Sequence, residues 1–148
     1  MRIATAFVLC ALAGIAPRSF ADEPPQTARL TIRVVDWRNR NGQAIFSVFN
    51  QSKGFPGDSK KSVHWEARKL ADGDVIFTAD LPPGKYAASV LHDENSNNKL
   101  DTNLIGIPTE GYGVTNNPKP KFRGAKYSEA TFELPAEGAS LTISLQYF

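Results

Sequence analysis

A two-residue alternation of side chains constrains the fold of this chain more than any other feature. It is clearest over Leu30–Val34, Val75–Leu81, Lys85–His92 and Leu141–Phe148, where alternate residues form one largely apolar face. A β-strand sends successive side chains to opposite faces, so each of these segments is predicted to be a half-buried strand. No amphipathic helix is predicted. The alternation therefore indicates an all-β fold.

Turn residues separate these segments from three further predicted strands. Those strands are Gln43–Phe49, Val63–Leu70 and Glu129–Leu134, although the mixed periodicity of Val63–Leu70 also allows a short helix. Asn41-Gly42 is a strong β-hairpin signal. Gln43–Phe49 is apolar enough on both faces to be a central strand. Seven short strands predict one antiparallel β-sandwich domain over residues 22–148.

The N-terminus has the pattern of a cleavable signal peptide, residues 1–21. Arg2 precedes the apolar run Ile3–Ala16, and Ser19-Phe20-Ala21 is a small-x-small cleavage site, so we expect cleavage after Ala21. Leu9 before the single cysteine, Cys10, argues against lipidation. The protein is therefore predicted to be periplasmic or secreted, with no disulfide and no transmembrane segment.

Net charge excludes one class of partner. The full chain has 17 Lys and Arg against 15 Asp and Glu, and Arg2 and Arg18 belong to the predicted signal peptide. The remaining chain is formally neutral, so no global field would attract nucleic acid or an acidic membrane. The local cluster Lys119, Lys121, Arg123 and Lys126 would suit an anionic envelope polymer, or it is a solvated face.

An Asp- and Asn-rich loop follows the Lys85–His92 strand. Asp93, Asn95, Asn97 and Asp101 fall at positions 1, 3, 5 and 9 of an EF-hand-type loop. Position 6 is Asn98 instead of glycine, and position 12 is Leu104 instead of glutamate. The loop therefore predicts a weak Ca²⁺ site.

Two further groups complete the predicted Ca²⁺ ligands. They are a backbone carbonyl near Lys99 and the carboxylate of Glu110, which would reach back from the following loop. The alternative is an Asn-rich turn whose side chains bond their own backbone.

The connection Leu100–Lys126 is long for a compact domain, and such loops are often functional. Within it, Tyr112 lies between two glycines and is a candidate ligand contact, as is His92 at the preceding strand end. Alternatively, the aromatic rings anchor the loop onto the sandwich. His92 then packs at the rim of the core.

Three pieces of the chain together resemble a known family. They are GDVIFTADLPPGKYAASVLHDENSNNKLD, IGIPTEGYGVTNN and the terminal LTISLQYF. In this order after a signal peptide, they are similar to the DUF2141 family of small exported bacterial proteins. The resemblance implies an exported β-sandwich of the transthyretin or carboxypeptidase-regulatory type. It implies no reaction, substrate or partner, and the family motif commonly has glycine where this chain has Asn98.

The sequence contains no zinc-protease HExxH, no nucleophile elbow and no phosphate loop. We therefore expect a non-enzymatic binding module with an unknown ligand or protein partner. One alternative is a hydrolase acting on an envelope polymer, in which Asp93, Asp101 and Glu110 converge on a cleft. Another is an interaction protein that docks through a sheet edge.

Overall fold

The computed structural model describes residues 26–120 and 123–148. The predicted signal peptide and its cleavage site lie outside the described residues. The fold is all-β, as predicted, with eight strands instead of about seven. The strands are β1 (Ala28–Val35), β2 (Gln43–Phe49), β3 (His64–Lys69), β4 (Val75–Leu81), β5 (Gly84–Asp93), β6 (Gly111–Val114), β7 (Thr131–Leu134) and β8 (Ala139–Ser144). One 3-10 turn (Ser59–Lys61) and one α-helical turn, α1 (Tyr127–Ala130), complete the assigned elements.

The strands form two sheets. The three-stranded sheet has the order β4-β1-β8, and the five-stranded sheet has the order β3-β2-β5-β6 with β7 also beside β5. Most neighbours are antiparallel, but β1 and β8 are parallel, with Leu30 opposite Ala139. The prediction of a purely antiparallel sandwich is wrong for this pair. No tight turn joins β1 to β8, so no hairpin dictates their relative direction.

The hairpin predicted at Asn41-Gly42 is also wrong. Strands β1 and β2 lie in different sheets, so this segment carries the chain from one sheet to the other. Gly42 has a φ of +70°, and a Cβ atom there would lie 2.1 Å from the carbonyl oxygen of Asp93. Glycine is therefore needed because two backbones meet closely at this crossing.

Two short elements differ from the prediction. Strand β6 lies inside the predicted loop Leu100–Lys126, and α1 occupies the start of the predicted strand Glu129–Leu134. The helical turn forms because the Glu129 carboxylate accepts a hydrogen bond from the Lys126 N–H at 2.8 Å, which closes its first turn.

The core consists of two apolar clusters on opposite faces of the five-stranded sheet. The larger lies between the sheets, where the rings of Phe46 and Phe77 stack with centroids 5.1 Å apart. The smaller includes Ile45, Leu91 and Tyr112 on the outer face, under the loops and α1. Burial on both faces explains why β2 has apolar residues on both faces and is central, as predicted.

The sheets are joined along both sides of the sandwich. On one side, Tyr112 in β6 and Gln146 exchange two backbone hydrogen bonds of 3.1 and 2.8 Å. On the other, the Arg68 guanidinium of β3 donates to the carbonyl oxygen of Ile76 in β4 at 2.9 Å.

Among residues 26–120 and 123–148, no helix combines the length and hydropathy that a membrane crossing requires.

Candidate functional site: a loop with a polar base and an apolar tip

One loop at the end of the five-stranded sheet contains most of the predicted site residues. Strands β5 and β6 are antiparallel neighbours, with His92 opposite Gly111, so residues 94–110 leave and return at the same end of the sheet. We call residues 93–101 together with Glu110 the polar base, and residues 103–108 the apolar tip. Backbone pairing of Thr102 with Pro108 separates the two parts.

The Asp93 carboxylate organises the polar base. It is fully buried, and its Oδ1 accepts the N–H of Asn97 at 3.0 Å. Its Oδ2 accepts the N–H of Asn98 at 2.7 Å and a side-chain N–H of Gln43 at 2.8 Å. The turn places Ser96 and Asn98 at positive φ, a conformation that asparagine tolerates, which explains why Asn98 can replace the expected glycine.

The other predicted loop ligands gather around Asp101. The carboxamides of Asn95 and Asn97 each donate to the Asp101 carboxylate, at distances of 2.7–3.0 Å. The Asn97 Oδ1 accepts the N–H of Lys99 at 2.9 Å. The structure thus brings these residues together, as the spacing predicted, and bonds them to one another.

Glu110 reaches back to this loop, as predicted. Its side chain is almost fully buried, and its two oxygens accept the N–H groups of Glu94 at 2.9 Å and Asp101 at 3.2 Å. Within the described part of the chain, no group of three or more His, Cys, Asp or Glu side chains is arranged to hold a metal ion. Calcium binding therefore stays a prediction.

His92 is fully buried beside the polar base. Its Nε2 lies 2.9 Å from the carbonyl oxygen of Asn41, and its Nδ1 lies 2.7 Å from the Tyr147 hydroxyl. A carbonyl only accepts, so Nε2 carries a hydrogen and donates it to Asn41, and Nδ1 shares the second bond with the Tyr147 hydroxyl. That hydroxyl also accepts the N–H of Arg38 at 3.2 Å. His92 therefore holds three distant segments together and offers no surface to a ligand.

Glu94 connects the polar base to the segment between β1 and β2. Its carboxylate accepts hydrogen bonds from Arg38 Nε at 2.8 Å and Asn39 Nδ2 at 2.9 Å. Burial acts to raise the pKa of Glu94, but the bonds from Asn39 and Arg38 outweigh it, so its pKa lies below the usual value. The Arg38 guanidinium also lies over the Tyr147 ring, 4.6 Å from its centroid.

Sequence reasoning missed this network, in which Arg38, Asn39, Asn41 and Tyr147 meet the loop. The only signal was the cluster of Arg and Asn in WRNRNG, an unusual composition for a simple turn.

Tyr112 is also buried, with 4% of its surface exposed. Its hydroxyl accepts the N–H of Ala125 at 3.2 Å, and its ring stacks on Phe148 with centroids 5.9 Å apart. It is not an exposed aromatic platform. The alternative prediction, that the rings anchor the long connection onto the sandwich, describes Tyr112 correctly.

The apolar tip has the opposite character. Asn103 and Gly106 form a turn closed by the bond from the Gly106 N–H to the Asn103 carbonyl at 2.9 Å. The Asn103 Oδ1 accepts the N–H groups of Ile105 and Ile107 at 3.1 and 3.0 Å. Between them, Leu104 is fully exposed and Ile105 is 79% exposed. From the sequence, Leu104 was notable only because it stands where an EF-hand-type loop has its calcium-binding glutamate.

A groove of about 570 Å³ lies between the apolar tip, the residues Pro120, Arg123 and Gly124, and Phe148. Its described lining is Asn103, Ile105, Gly106, Ile107, Pro108, Thr109, Pro120, Arg123, Gly124 and Phe148. The carboxylates that the hydrolase alternative requires, Asp93, Asp101 and Glu110, are not in this lining. Phe148 is 56% exposed. The groove therefore has mainly apolar walls and an open mouth.

Positive charge flanks the groove. Arg123 lines it and forms two hydrogen bonds with the Glu129 carboxylate, at 2.9 and 2.6 Å. These bonds, together with that from the Lys126 N–H, lower the pKa of Glu129 to about 2. Lys119 and Lys126 are exposed, and neither forms an ion pair with another of the residues that the structure describes.

Comparison with known proteins supplies a family. No curated protein and no solved structure is significantly similar to this chain. One family model, described as "Uncharacterized protein conserved in bacteria (DUF2141)", matches residues 32–142. The match runs from β1 to β8 and includes the polar base, the apolar tip and the flanking strands. The chain therefore belongs to the DUF2141 family, as the resemblance of its loop and strand motifs indicated.

Proposed function

We propose that this protein is an exported, non-enzymatic binding module that holds the apolar part of its partner at the apolar tip and the adjoining groove. The observation that carries the proposal is the exposure of Leu104 and Ile105 on a turn in which the Asn103 side chain bonds the N–H groups of Ile105 and Ile107. Turn positions are normally taken by polar residues or glycine. Contiguous exposed apolar side chains mark interaction sites.

The polar base supports this role by fixing the tip in place. Binding sites lose less entropy when a rigid surrounding structure pre-organises them. Asp93 and Glu110 are buried and accept five hydrogen bonds between them, four from backbone N–H groups. The groove volume of about 570 Å³ also falls in the range of small-molecule sites.

A titration with a simple amphiphile tests the binding function. Sodium decanoate, kept below its micelle concentration, should shift the amide NMR signals of Gly106, Thr109 and Gly124, with a Kd on the order of 1 mM. Ile105→Ser should weaken these shifts. Ile76→Ser, at an exposed isoleucine on the outer face of β4, is the matched control. Shifts that are absent, or that Ile105→Ser leaves unchanged, would refute the groove as the binding site.

Export belongs to the same proposal and rests on the N-terminal pattern of Arg2, the apolar run Ile3–Ala16 and Ser19-Phe20-Ala21. Protein recovered from the periplasm or the medium should begin at Asp22. N-terminal sequencing that found an uncleaved or lipid-modified chain would contradict this part.

The alternative of an interaction protein that docks through a sheet edge has less support at edge strand β3. This strand carries Glu66, Arg68 and Lys69, and such charged side chains discourage pairing with another strand.

A second candidate function is weak Ca²⁺ binding in the polar base. Asn95 and Asn97 both contact the Asp101 carboxylate, and a half-turn of each carboxamide exchanges its nitrogen for its oxygen at nearly the same position. Such rotations would break the bonds from the N–H groups of Asn97 and Lys99 to these carboxamide oxygens. They would give an oxygen set suited to Ca²⁺, with Asp93, a carbonyl near Lys99 and Glu110 nearby. Because the position-12 glutamate is missing, we expect a Kd on the order of 10⁻⁴–10⁻³ M.

Thermal unfolding tests this candidate. At ten times Kd, Ca²⁺ should stabilise the fold by about 1.4 kcal/mol, which raises the midpoint by roughly 3–6 °C relative to excess EDTA. Asp101→Ala should abolish the difference. Equal midpoints with Ca²⁺ and with EDTA would instead favour the alternative of an Asn-rich turn that bonds its own backbone.

A further inference from the structure

We infer that the protein forms a symmetric dimer in which β3 of one copy pairs, antiparallel, with β3 of a second copy. The two-fold axis would pass beside Ala67, near the centre of the strand. In the five-stranded sheet, β3 lies at one end of the strand order and β6, which follows the apolar tip, lies at the other. The dimer therefore leaves the apolar tip free, and the inference does not depend on the binding function proposed above.

Strand β3 has backbone groups that are free to bond a further strand. Among the residues that the structure describes, it pairs only with β2. The Leu70 N–H, directly after β3, donates to the carbonyl oxygen of Gly42, directly before β2, at 3.3 Å. Because backbone groups alternate in direction along an antiparallel ladder, every second residue of β3 points its N–H and carbonyl away from β2. These residues are Trp65, Ala67 and Lys69.

Charge selects a second copy as the partner. With the axis at Ala67, Glu66 of each copy lies opposite Arg68 of the other on one face of the sheet. On the other face, the Trp65 ring lies opposite the Lys69 ammonium, a favourable cation–aromatic pair. An axis moved by one residue, to Glu66 or to Arg68, would place two like charges opposite each other. The charges that discourage pairing with other strands therefore favour a copy of β3 in this register.

The charged side chains are already held in place for this contact. Within one copy, Arg68 donates from Nε and Nη2 to Oε1 of Glu66, at 3.0 and 2.6 Å. Its Nη1 donates to the carbonyl oxygen of Ile76 in β4, and its guanidinium lies over the Phe77 ring, 4.6 Å from the centroid. Both bonds to Glu66 end on Oε1, so Oε2 can accept a bond from Arg68 of the second copy. A side chain that is ordered beforehand loses little entropy on association.

The same edge exposes large apolar side chains. Trp65 is 56% exposed, and Val63, two residues before it, is 44% exposed. Soluble proteins normally protect an edge strand, because an exposed apolar edge invites pairing. Tryptophan is also enriched at protein interfaces. A second β3 along this edge would cover part of both side chains.

Sedimentation velocity tests the dimer. The chain is purified after export and measured over about 5–500 µM, a range that suits the weak association of a small interface. The weight-average mass should rise toward twice that of the monomer, with a Kd on the order of 10–100 µM. Ala67→Pro removes an N–H from the free edge and keeps the bonds between β3 and β2, so it should leave a monomer.

Charge reversal tests the register. Glu66→Arg alone and Arg68→Glu alone each place like charges opposite each other, so each should weaken the dimer at least about 10-fold. A mixture of the two variants restores opposite charges at both positions and should form a heterodimer with a Kd close to that of the wild-type dimer. Glu133→Arg, at an exposed glutamate of β7, is the matched control and should leave the Kd unchanged. Circular dichroism checks that each variant is folded.

Three outcomes would overturn the inference. The first is a wild-type chain that stays monomeric at the highest concentration. The second is a dimer that Ala67→Pro and Glu66→Arg leave unchanged, which would form through another surface. The third is a mixture of the folded charge variants that associates no better than either alone. If Arg68→Glu unfolds because the bond to Ile76 is lost, Ala67→Pro and Glu66→Arg still decide. The decanoate titration reads the apolar tip alone, so either proposal can fail without the other.

Discussion

The polar base and the apolar tip are parts of the same loop, yet their burial is opposite to what their chemistry would suggest. In the base, the carboxylates of Asp93 and Glu110 are buried and hydrogen-bonded. In the tip, Leu104 and Ile105 are exposed to water. Buried polar groups stabilise a fold only when they are bonded, and exposed apolar groups contribute little to it. The polar base therefore stabilises the fold, whereas the apolar tip contributes little to stability and is available to contact a partner.

The sharpest test of this comparison uses two glycines that both have positive φ. Gly42→Ala would place a Cβ 2.1 Å from the Asp93 carbonyl oxygen, against the base. Backbone strain and overpacking together should cost about 4 kcal/mol in the free energy of unfolding. A Cβ added by Gly106→Ala in the tip would have no heavy atom within 4 Å. Only the backbone strain of the positive φ remains, so the free energy of unfolding should fall by about 1 kcal/mol. Urea unfolding measures both, and similar losses would show that the base is no more rigid than the tip.

Removal of the central carboxylate should have the next largest effect. Asp93→Ala leaves the N–H groups of Asn97 and Asn98 and the Gln43 carboxamide without their buried acceptor. We expect a loss of about 3 kcal/mol. Asp93→Asn, which keeps one acceptor oxygen, should lose less. Equal unfolding midpoints in urea for the wild-type chain and Asp93→Ala would contradict a structural role for the base.

The pH dependence of stability probes the connection between Glu94 and Arg38. The bonds from Asn39 and Arg38 hold the pKa of Glu94 in the folded protein below the ordinary glutamate value of 4.5, so its contribution is fully present above pH 4.5 and is lost as pH falls through the folded pKa. Glu94→Gln should remove about 1 kcal/mol at neutral pH and flatten the acid limb of the stability curve. Glu137→Gln, at an exposed carboxylate, is the control. An unchanged acid limb in Glu94→Gln would argue against this assignment.

The smallest expected effect on stability lies at the tip. Ile105→Ala should change the free energy of unfolding by no more than about 0.5 kcal/mol, because the side chain is 79% exposed. Ile45→Ala, at an isoleucine that is 3% exposed in the outer cluster, should cost about 3 kcal/mol. Thermal or urea unfolding compares the two. A loss at Ile105 close to that at Ile45 would mean that the tip is part of the core.

The local parts of the molecule were predictable from the sequence. Alternation located most of the strands, and the spacing of Asp93, Asn95, Asn97 and Asp101 correctly placed them in one turn, because residues a few positions apart must meet when the chain turns. The strand β6 was missed since it has only four residues, and two of them are glycines, which are uncommon in strands.

Contacts between distant segments were not predictable. His92 meets Tyr147, and Glu94 meets Arg38, each across more than 50 positions of the chain. No local pattern encodes such pairs. The exposed tip was missed for a different reason: leucine and isoleucine are normally assigned to the interior, and only the structure reveals that Leu104 lies outside it.

The parallel pairing of β1 with β8 has a consequence for how the chain folds. In this pairing Leu30 of β1 lies opposite Ala139 of β8, so the three-stranded sheet is complete only when the last strand has paired with the first. Contacts over such sequence separations slow folding, because a long loop must close before they form. The three-stranded sheet cannot close until β8 has emerged from the ribosome. This sheet is therefore completed only after the residues up to Ser144 have been synthesised, however early β1 and β4 pair.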